Sequence, residues 1–259
     1  MLQTVLITGA SGGLGEEFAR IFAREGYRLA LAARNEKKLA MLREELEQTY
    51  DSGVETFLCD LSQERAGERL FSDIAARGMN IDVLVNNAGF GDFGVFSQCD
   101  AQKQYDMLQV NIVALMQLTR CCLAPMVARR QGKILNVASI AAFQPGPLMP
   151  VYYASKAFVL SLSEALSVEL KKSGVSVTAL CPGPTSTGFE QNAALGNSGL
   201  FRNLRVDSAK SVAEYGYRML QKGKTVAIPG VLNRLIITAS KFAPRALVRH
   251  CVYHIQKEK

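Results

Sequence analysis

The stretch VYYASK, residues 151 to 156, sets Tyr152 and Tyr153 four and three positions ahead of Lys156. On a helix, both spacings bring the phenol and the ammonium onto one face. A phenol titrates near pH ~10, too high to exchange its proton readily at neutrality, and a nearby cation favours the phenolate and lowers that value. Lowering it by about three units requires ~4 kcal/mol of differential stabilisation. Taken alone, paired tyrosines among apolar residues are more often packing, and spacing does not choose between them. A second chemical signal is TGASGGLG, residues 8 to 15, in which Gly9, Gly12, Gly13 and Gly15 follow a short apolar run and precede a helical pattern. Glycines there let a strand turn into a helix, admit the close approach of a pyrophosphate, and leave the helix N-terminus to bind its charge. No Gly-Lys-Ser/Thr follows, so the Walker pattern is absent.

The elements that must hold these groups are short β-branched runs alternating with helical stretches, the pattern of a parallel sheet covered on both faces. Strands are expected at 4–7, 27–32, 54–58, 82–85, 133–137, 175–180 and 224–228. Helices are expected at 14–25, 35–50, 63–77, 100–130, 152–172 and 208–221. No linker or repeat divides them, so residues 1–259 are read as one α/β domain with a Rossmann-type doubly wound sheet of about seven strands. Residues 184–207 mix Pro, Gly, Ser and Asn with isolated Phe189, Leu195, Leu200 and Phe201, as a substrate lid would. Residues 230–259 form an extension, read as two amphipathic helices broken at Pro244 and packed on the domain or on a partner.

Composition narrows the class. Nearly half of the 259 residues are apolar, and no secretory leader or apolar run of about 18 residues is evident, so a soluble, cytoplasmic protein is expected. The six cysteines lack CxxC spacing, which argues for reduced thiols and against zinc. The net charge is +7, and from Gly230 onward six cations face Glu258 alone. That tail reads as a solvated face or as an attraction for an anionic partner such as a membrane surface. No nucleic-acid partner is expected.

The order of TGASGGLG, NNAG at 86–89, Ser139 after the fifth strand, Tyr152-xxx-Lys156 and Pro182-Gly183 resembles the short-chain dehydrogenase/reductase family, in its branch of about 250 residues. The resemblance runs from Thr8 to Gly183. It implies an oxidoreductase interconverting a carbonyl and an alcohol, with hydride from a nicotinamide and a proton from tyrosine. The YxxxK pattern selects Tyr152 as acid/base, leaving Tyr153 to packing or pocket lining. Lys156 is implied to tune the phenol and bind the ribose, Ser139 to hydrogen-bond the substrate oxygen, and Asn111 to hold a water relaying protons toward Lys156. As residues alone, Ser139 also reads as a turn former and Asn111 as a satisfied core amide.

The implied cofactor contacts are Gly9, Ser11, Gly13, Leu14, Gly15, Arg34, Asp60, Leu61, Asn87, Ala88, Gly89, Pro182, Gly183 and Thr185, with Tyr152 and Lys156. The second strand ends in LAARN, with Arg34 where an NAD enzyme would carry an acid, so NADP(H) is expected. Asp60 is implied to contact the adenine, or else caps a helix beginning near Ser62. Residues 141–150 with Phe90, Phe93 and the lid apolars suggest a fairly hydrophobic substrate. Helices 100–130 and 152–172 resemble those through which the family forms dimers and tetramers. The alternatives are a 3-oxoacyl-carrier-protein reductase and, in another class, a non-catalytic dinucleotide-binding module.

Overall fold

The structure is a computed structural model that describes residues 2–188 and 206–257. Its centre is a seven-stranded, all-parallel sheet. Six strands are β1 (Thr4–Thr8), β2 (Arg28–Ala33), β3 (Val54–Leu58), β4 (Ile81–Asn86), β5 (Gly132–Val137) and β6 (Val175–Leu180). A two-strand ribbon, β7 (Thr185–Ser186) with β8 (Asp207–Ser208), follows, and β9 (Val226–Ala227) completes the sheet beside β6. The spatial order is β3-β2-β1-β4-β5-β6-β9. The order reverses between β1 and β4, which opens a crevice at the carboxyl ends of those strands.

The helices are α1 (Gly13–Arg24), α2 (Glu36–Thr49), α3 (Ala66–Ala76), α4 (Ala101–Leu108), α5 (Leu115–Ala128), α6 (Pro150–Glu169), α7 (Ala209–Gln221), α8 (Val231–Phe242) and α9 (Arg245–Gln256). Alternation along each strand divides the core between two faces. Val5, Ile7, Leu29, Leu31, Val83 and Val85 pack with Phe18 and Phe22 of α1 and Leu39 and Leu42 of α2. Leu6, Ala30, Ala32 and Leu84 pack with Leu70 of α3 and Leu118 and Cys122 of α5 on the other face.

Several expectations change in detail. The predicted helix 100–130 is interrupted by a wider π-type turn, Gln109–Ala114, which carries Asn111. The run Ala101–Ala128 is long and apolar enough to cross a membrane by length and composition, contrary to expectation. In this fold one of its faces, with Leu115, Leu118, Cys122 and Met126, is buried in the core. The third helix begins at Ala66, because Arg65 adopts a left-handed conformation (φ 54°) that ends the preceding turn. The last strand pairs only at two residues. All six cysteines are free, and no metal-ligating cluster occurs among the described residues. The break at Pro244 separates α8 from α9 as predicted. The proposed lid apolars Phe189, Leu195, Leu200 and Phe201 lie outside the described residues.

Candidate active site

β1 ends at Thr8, whose hydroxyl accepts from the Asn87 and Ala88 amides at 3.1 Å each and ties the ends of β1 and β4 together. The Asn87 side-chain Nδ2 donates to the Thr8 and Gly9 carbonyls at 2.9 and 3.1 Å. The chain then turns through Gly9 (φ +65°) and Gly13 (φ +56°) into α1. A Cβ on Gly9 would sit 2.9 Å from Ala88 Cα, and one on Gly13 would sit 2.8 Å from Thr187 Cβ, so both the space and the dihedrals exclude side chains. Gly15 serves differently from expectation. It lies behind the turn against the Gly9 carbonyl and does not line the cavity, so it sets helix-to-strand packing.

The glycine cradle opens into a cavity of about 1450 Å³. Small-molecule pockets usually fall between about 300 and 1,000 Å³, so this one is large enough for a dinucleotide and a second molecule together. Gly9, Ser11, Gly13, Leu14, Arg34, Asp60, Leu61, Asn87, Ala88, Gly89, Pro182, Gly183 and Thr185 all line it, as do Ser139, Tyr152 and Lys156. At the adenosine end Arg34 is exposed at the close of β2, and Asn35 caps α2 by accepting from the Lys38 amide at 3.0 Å. Lys37 and Lys38, not singled out in the sequence, share this wall and add positive charge beside Arg34. Their signal was the basic pair in the first turn of α2.

Asp60 lies across from Arg34. Burial alone would raise its carboxyl, but the Ser62 amide and hydroxyl, with the Arg34 charge, hold it below the usual range. It closes a turn at Ser62 and does not cap a helix there, since α3 starts at Ala66. Past β6, Thr185 donates to the Gly183 carbonyl at 2.9 Å, and Thr187 packs over Gly13, folding this loop onto the glycine turn.

Tyr152, Tyr153 and Lys156 share α6, which opens with Pro150, a residue suited to a first turn whose amides lack partners. Lys156 is buried, donates to the Val137 carbonyl at 2.8 Å, and holds its Nζ 5.7 Å from the centre of the Tyr152 ring. Burial lowers its ammonium to about 8. The Tyr152 phenol is pushed up to about 12 by burial, against which a hydrogen bond with Ser139 acts. The expected lowering by Lys156 is therefore not met by the chain alone: burial sets the direction, and the Ser139 hydrogen bond is what opposes it. Ser139 also accepts from the Ala141 amide at 3.1 Å, so its turn-forming role and its position beside Tyr152 coexist.

Asn111 does not line the cavity. Its amide donates to the Phe90 carbonyl and the Ser155 hydroxyl at 3.0 Å each, and its oxygen accepts from the Phe90 amide at 3.1 Å. The side chain is thus a clamp between the β4 loop and α6. A second clamp escaped sequence reasoning: Asn86 donates to Asn136 (2.9 Å) and Thr119 (3.0 Å), and Asn136 donates to Ser163 (2.9 Å). This buried chain fixes α6 against β4, β5 and α5.

Tyr153 also lines the cavity, with its ring edge-on to Tyr152 at 6.1 Å, but its hydroxyl is directed to the C-terminal helix. It is buried with Met149, Ala141 and Val252, lies over Gly146, and accepts a hydrogen bond from Gln256 of α9. The packing role read for it is thus specific: it fastens the C-terminal helix to the catalytic one. Those helices supply much of the cavity's outer wall, through Asn233, Ile236 and Ser240 of α8 and Leu247, Val248 and Val252 of α9. The sequence marked them as amphipathic but gave no sign that their inner face meets the site.

A doubly wound sheet with a glycine cradle, a cationic adenosine end and a Tyr-Lys-Ser group in one cavity defines a nucleotide-dependent oxidoreductase architecture. The family model for short chain dehydrogenase matches residues 3–197, and the chain belongs to that family. It is 35% identical to mouse 17-beta-hydroxysteroid dehydrogenase type 3 over 72% of this chain and 61% of that protein. It is 34% identical to the very-long-chain 3-oxoacyl-CoA reductase of Laccaria bicolor over 68% of this chain and 52% of that protein. The chain thus spans between half and two thirds of the length of these relatives. A short-chain dehydrogenase from Sphingobium yanoikuyae, solved in complex with NADPH, superposes with a TM-score of 0.81 at 30% identity, covering 95% of this chain and 98% of that one.

Proposed function

We propose that the protein is an NADP(H)-dependent oxidoreductase that interconverts a bulky, apolar ketone and its secondary alcohol. The observation that carries this reading is the convergence of Tyr152, Ser139 and Lys156 beside the glycine cradle within one cavity. Arg34, Lys37 and Lys38 would hold the 2′-phosphate, Gly9 and Gly13 the pyrophosphate, and Lys156 the ribose. When bound, NADPH supplies a hydride to the carbonyl carbon and leaves as NADP⁺.

The protein's own part is the proton. Ser139 and Tyr152 hydrogen-bond the carbonyl oxygen, and the Tyr152 hydroxyl gives its proton to that oxygen as negative charge develops, completing the alcohol. The phenolate left behind is stabilised by the Lys156 ammonium and regains a proton from solvent through water held near the π turn at Asn111. A phenol at about 12 resists giving up its proton in the chain alone. The nicotinamide would be neutral in NADPH and would turn positive only as hydride departs, which would pull that value down as the proton is needed, so proton transfer is coupled to hydride transfer.

The apolar wall formed by Met149, Ile236, Leu247, Val248 and Val252 favours a bulky hydrophobic substrate. The names of the mouse and Laccaria relatives suggest two chemical types, a hydroxysteroid and a long 3-oxoacyl thioester. An NADPH-oxidation assay over ketosteroids, 3-oxoacyl thioesters and sugar acids tests the reading. Turnover is expected with the first two types, and turnover confined to sugar acids would contradict it. Exposed Tyr105, Met116, Phe158 and Val168 on α4, α5 and α6 support self-association through those helices, and a monomeric mass by light scattering at micromolar concentration would refute it.

A further inference from the structure

The helix pair α8–α9 has two apolar faces. Ile237, with Asn233 and Ser240 beside it, turns toward the domain, and Ile236 and Ala239 meet the cavity. The opposite stripe of α8 is not spent on the fold: Val231, Leu232, Leu235 and Phe242 are 71%, 60%, 62% and 86% exposed. At 100° per residue these four fall within one sector, and the row Leu232–Ile236–Ala239 carries it round to the cavity rim. Isolated surface apolars need no explanation, but four on one face beside an apolar cavity mouth do.

Charge identifies what this face meets. Between Glu214 and Glu258 the sequence contains no acidic residue and eight lysines and arginines; on the helix pair Arg234 and Lys241 flank the stripe, reaching Tyr215 and the Phe143 ring, and Arg245 and Arg249 are exposed on α9. A second copy docking face to face would oppose the same cations, whereas an anionic bilayer would neutralise them while taking up the apolar stripe. We propose that α8–α9 docks the protein on the surface of an anionic membrane, with Leu235 and Phe242 entering the acyl boundary, so that the cavity mouth opens toward the lipid. Docking stands on this surface alone. Delivery of a lipid-dissolved substrate through the mouth rests additionally on the carbonyl-reductase reading.

The test uses the full chain with phosphatidylcholine vesicles, with and without phosphatidylglycerol. Sedimentation with the anionic vesicles is expected at low ionic strength and should weaken as salt rises. The double substitution Leu235→Asp with Phe242→Asp should lower vesicle partitioning about tenfold or more, while Met41→Asp, at an exposed position on α2, should not. Neither Leu235 nor Phe242 lines the cavity, so reduction of a water-soluble ketone should persist in the double variant, and reduction of a vesicle-partitioned ketosteroid should fall. A parent protein that stays in the supernatant with anionic vesicles would overturn the proposal. So would a double variant that binds as well as its parent, or one whose only change is a smaller mass in light scattering, which would assign the patch to a second copy. Failure of all ketone turnover with vesicle binding intact would strike the enzymatic reading and leave docking standing.

Discussion

The two halves of the cavity are built by different means. On the cofactor side the wall turns on backbone: the turn at Gly9 to Gly13 comes so close to the Ala88 segment and to Thr187 that a Cβ is excluded at Gly9 and Gly13. On the substrate side the wall is side chains from α8 and α9, held by Val252 packing and the Tyr153–Gln256 hydrogen bond. A backbone wall demands particular residues at particular spacings. A side-chain wall demands only bulk and apolarity, so it can vary without disturbing the sheet.

Substitutions should therefore break the first half and merely adjust the second. Gly9→Val meets a strained dihedral and the Ala88 backbone together, and should weaken NADPH binding about a hundredfold or more, read by cofactor fluorescence. Arg34→Ala should lower NADPH affinity by roughly ten- to a hundredfold, the value of charged hydrogen bonds, and barely change that for NADH. Equal affinities of the parent protein for the two cofactors would remove the basis for the assignment. Asn136→Ala strands Asn86 and Ser163 in the core and should cost about 1–3 kcal/mol in denaturant unfolding. Since burial holds Lys156 at about 8, its charge is present below that pH and lost above it. NADPH affinity should accordingly fall a few-fold, roughly, from pH 7 to 9.5, and Lys156→Met should flatten the profile. Gln256→Ala, the smallest change, should loosen α9, altering the KM for large ketones more than for small ones while leaving cofactor affinity alone.

Legibility in the sequence follows the same division. The seven strands, the glycine cradle, and the order of Ser139, Tyr152 and Lys156 were readable because strand alternation and backbone approach impose residue types. The π turn around Asn111 was not, because a wider turn leaves no mark on helical periodicity. The Asn86–Asn136–Ser163 clamp was equally hidden, since its bonded pairs lie 50 and 27 residues apart. Gly15 was assigned to the cofactor by motif, whereas its neighbours give it to packing. The inner faces of α8 and α9 show the limit most clearly: amphipathicity announces that a face is covered but not what it covers.

Tyr152 and Tyr153 are adjacent in sequence, and the fold sends one toward Ser139 and Lys156 and the other toward Gln256. The most direct test is to compare Tyr152→Phe with Tyr153→Phe for NADPH binding and for turnover of a reducible ketone. Tyr152→Phe should bind cofactor as the parent does and lose turnover by about 10²–10⁴-fold, the usual weight of a positioned proton donor, with Tyr153→Phe keeping most of its activity. Comparable turnover in the two variants, or a larger loss in Tyr153→Phe, would contradict the account.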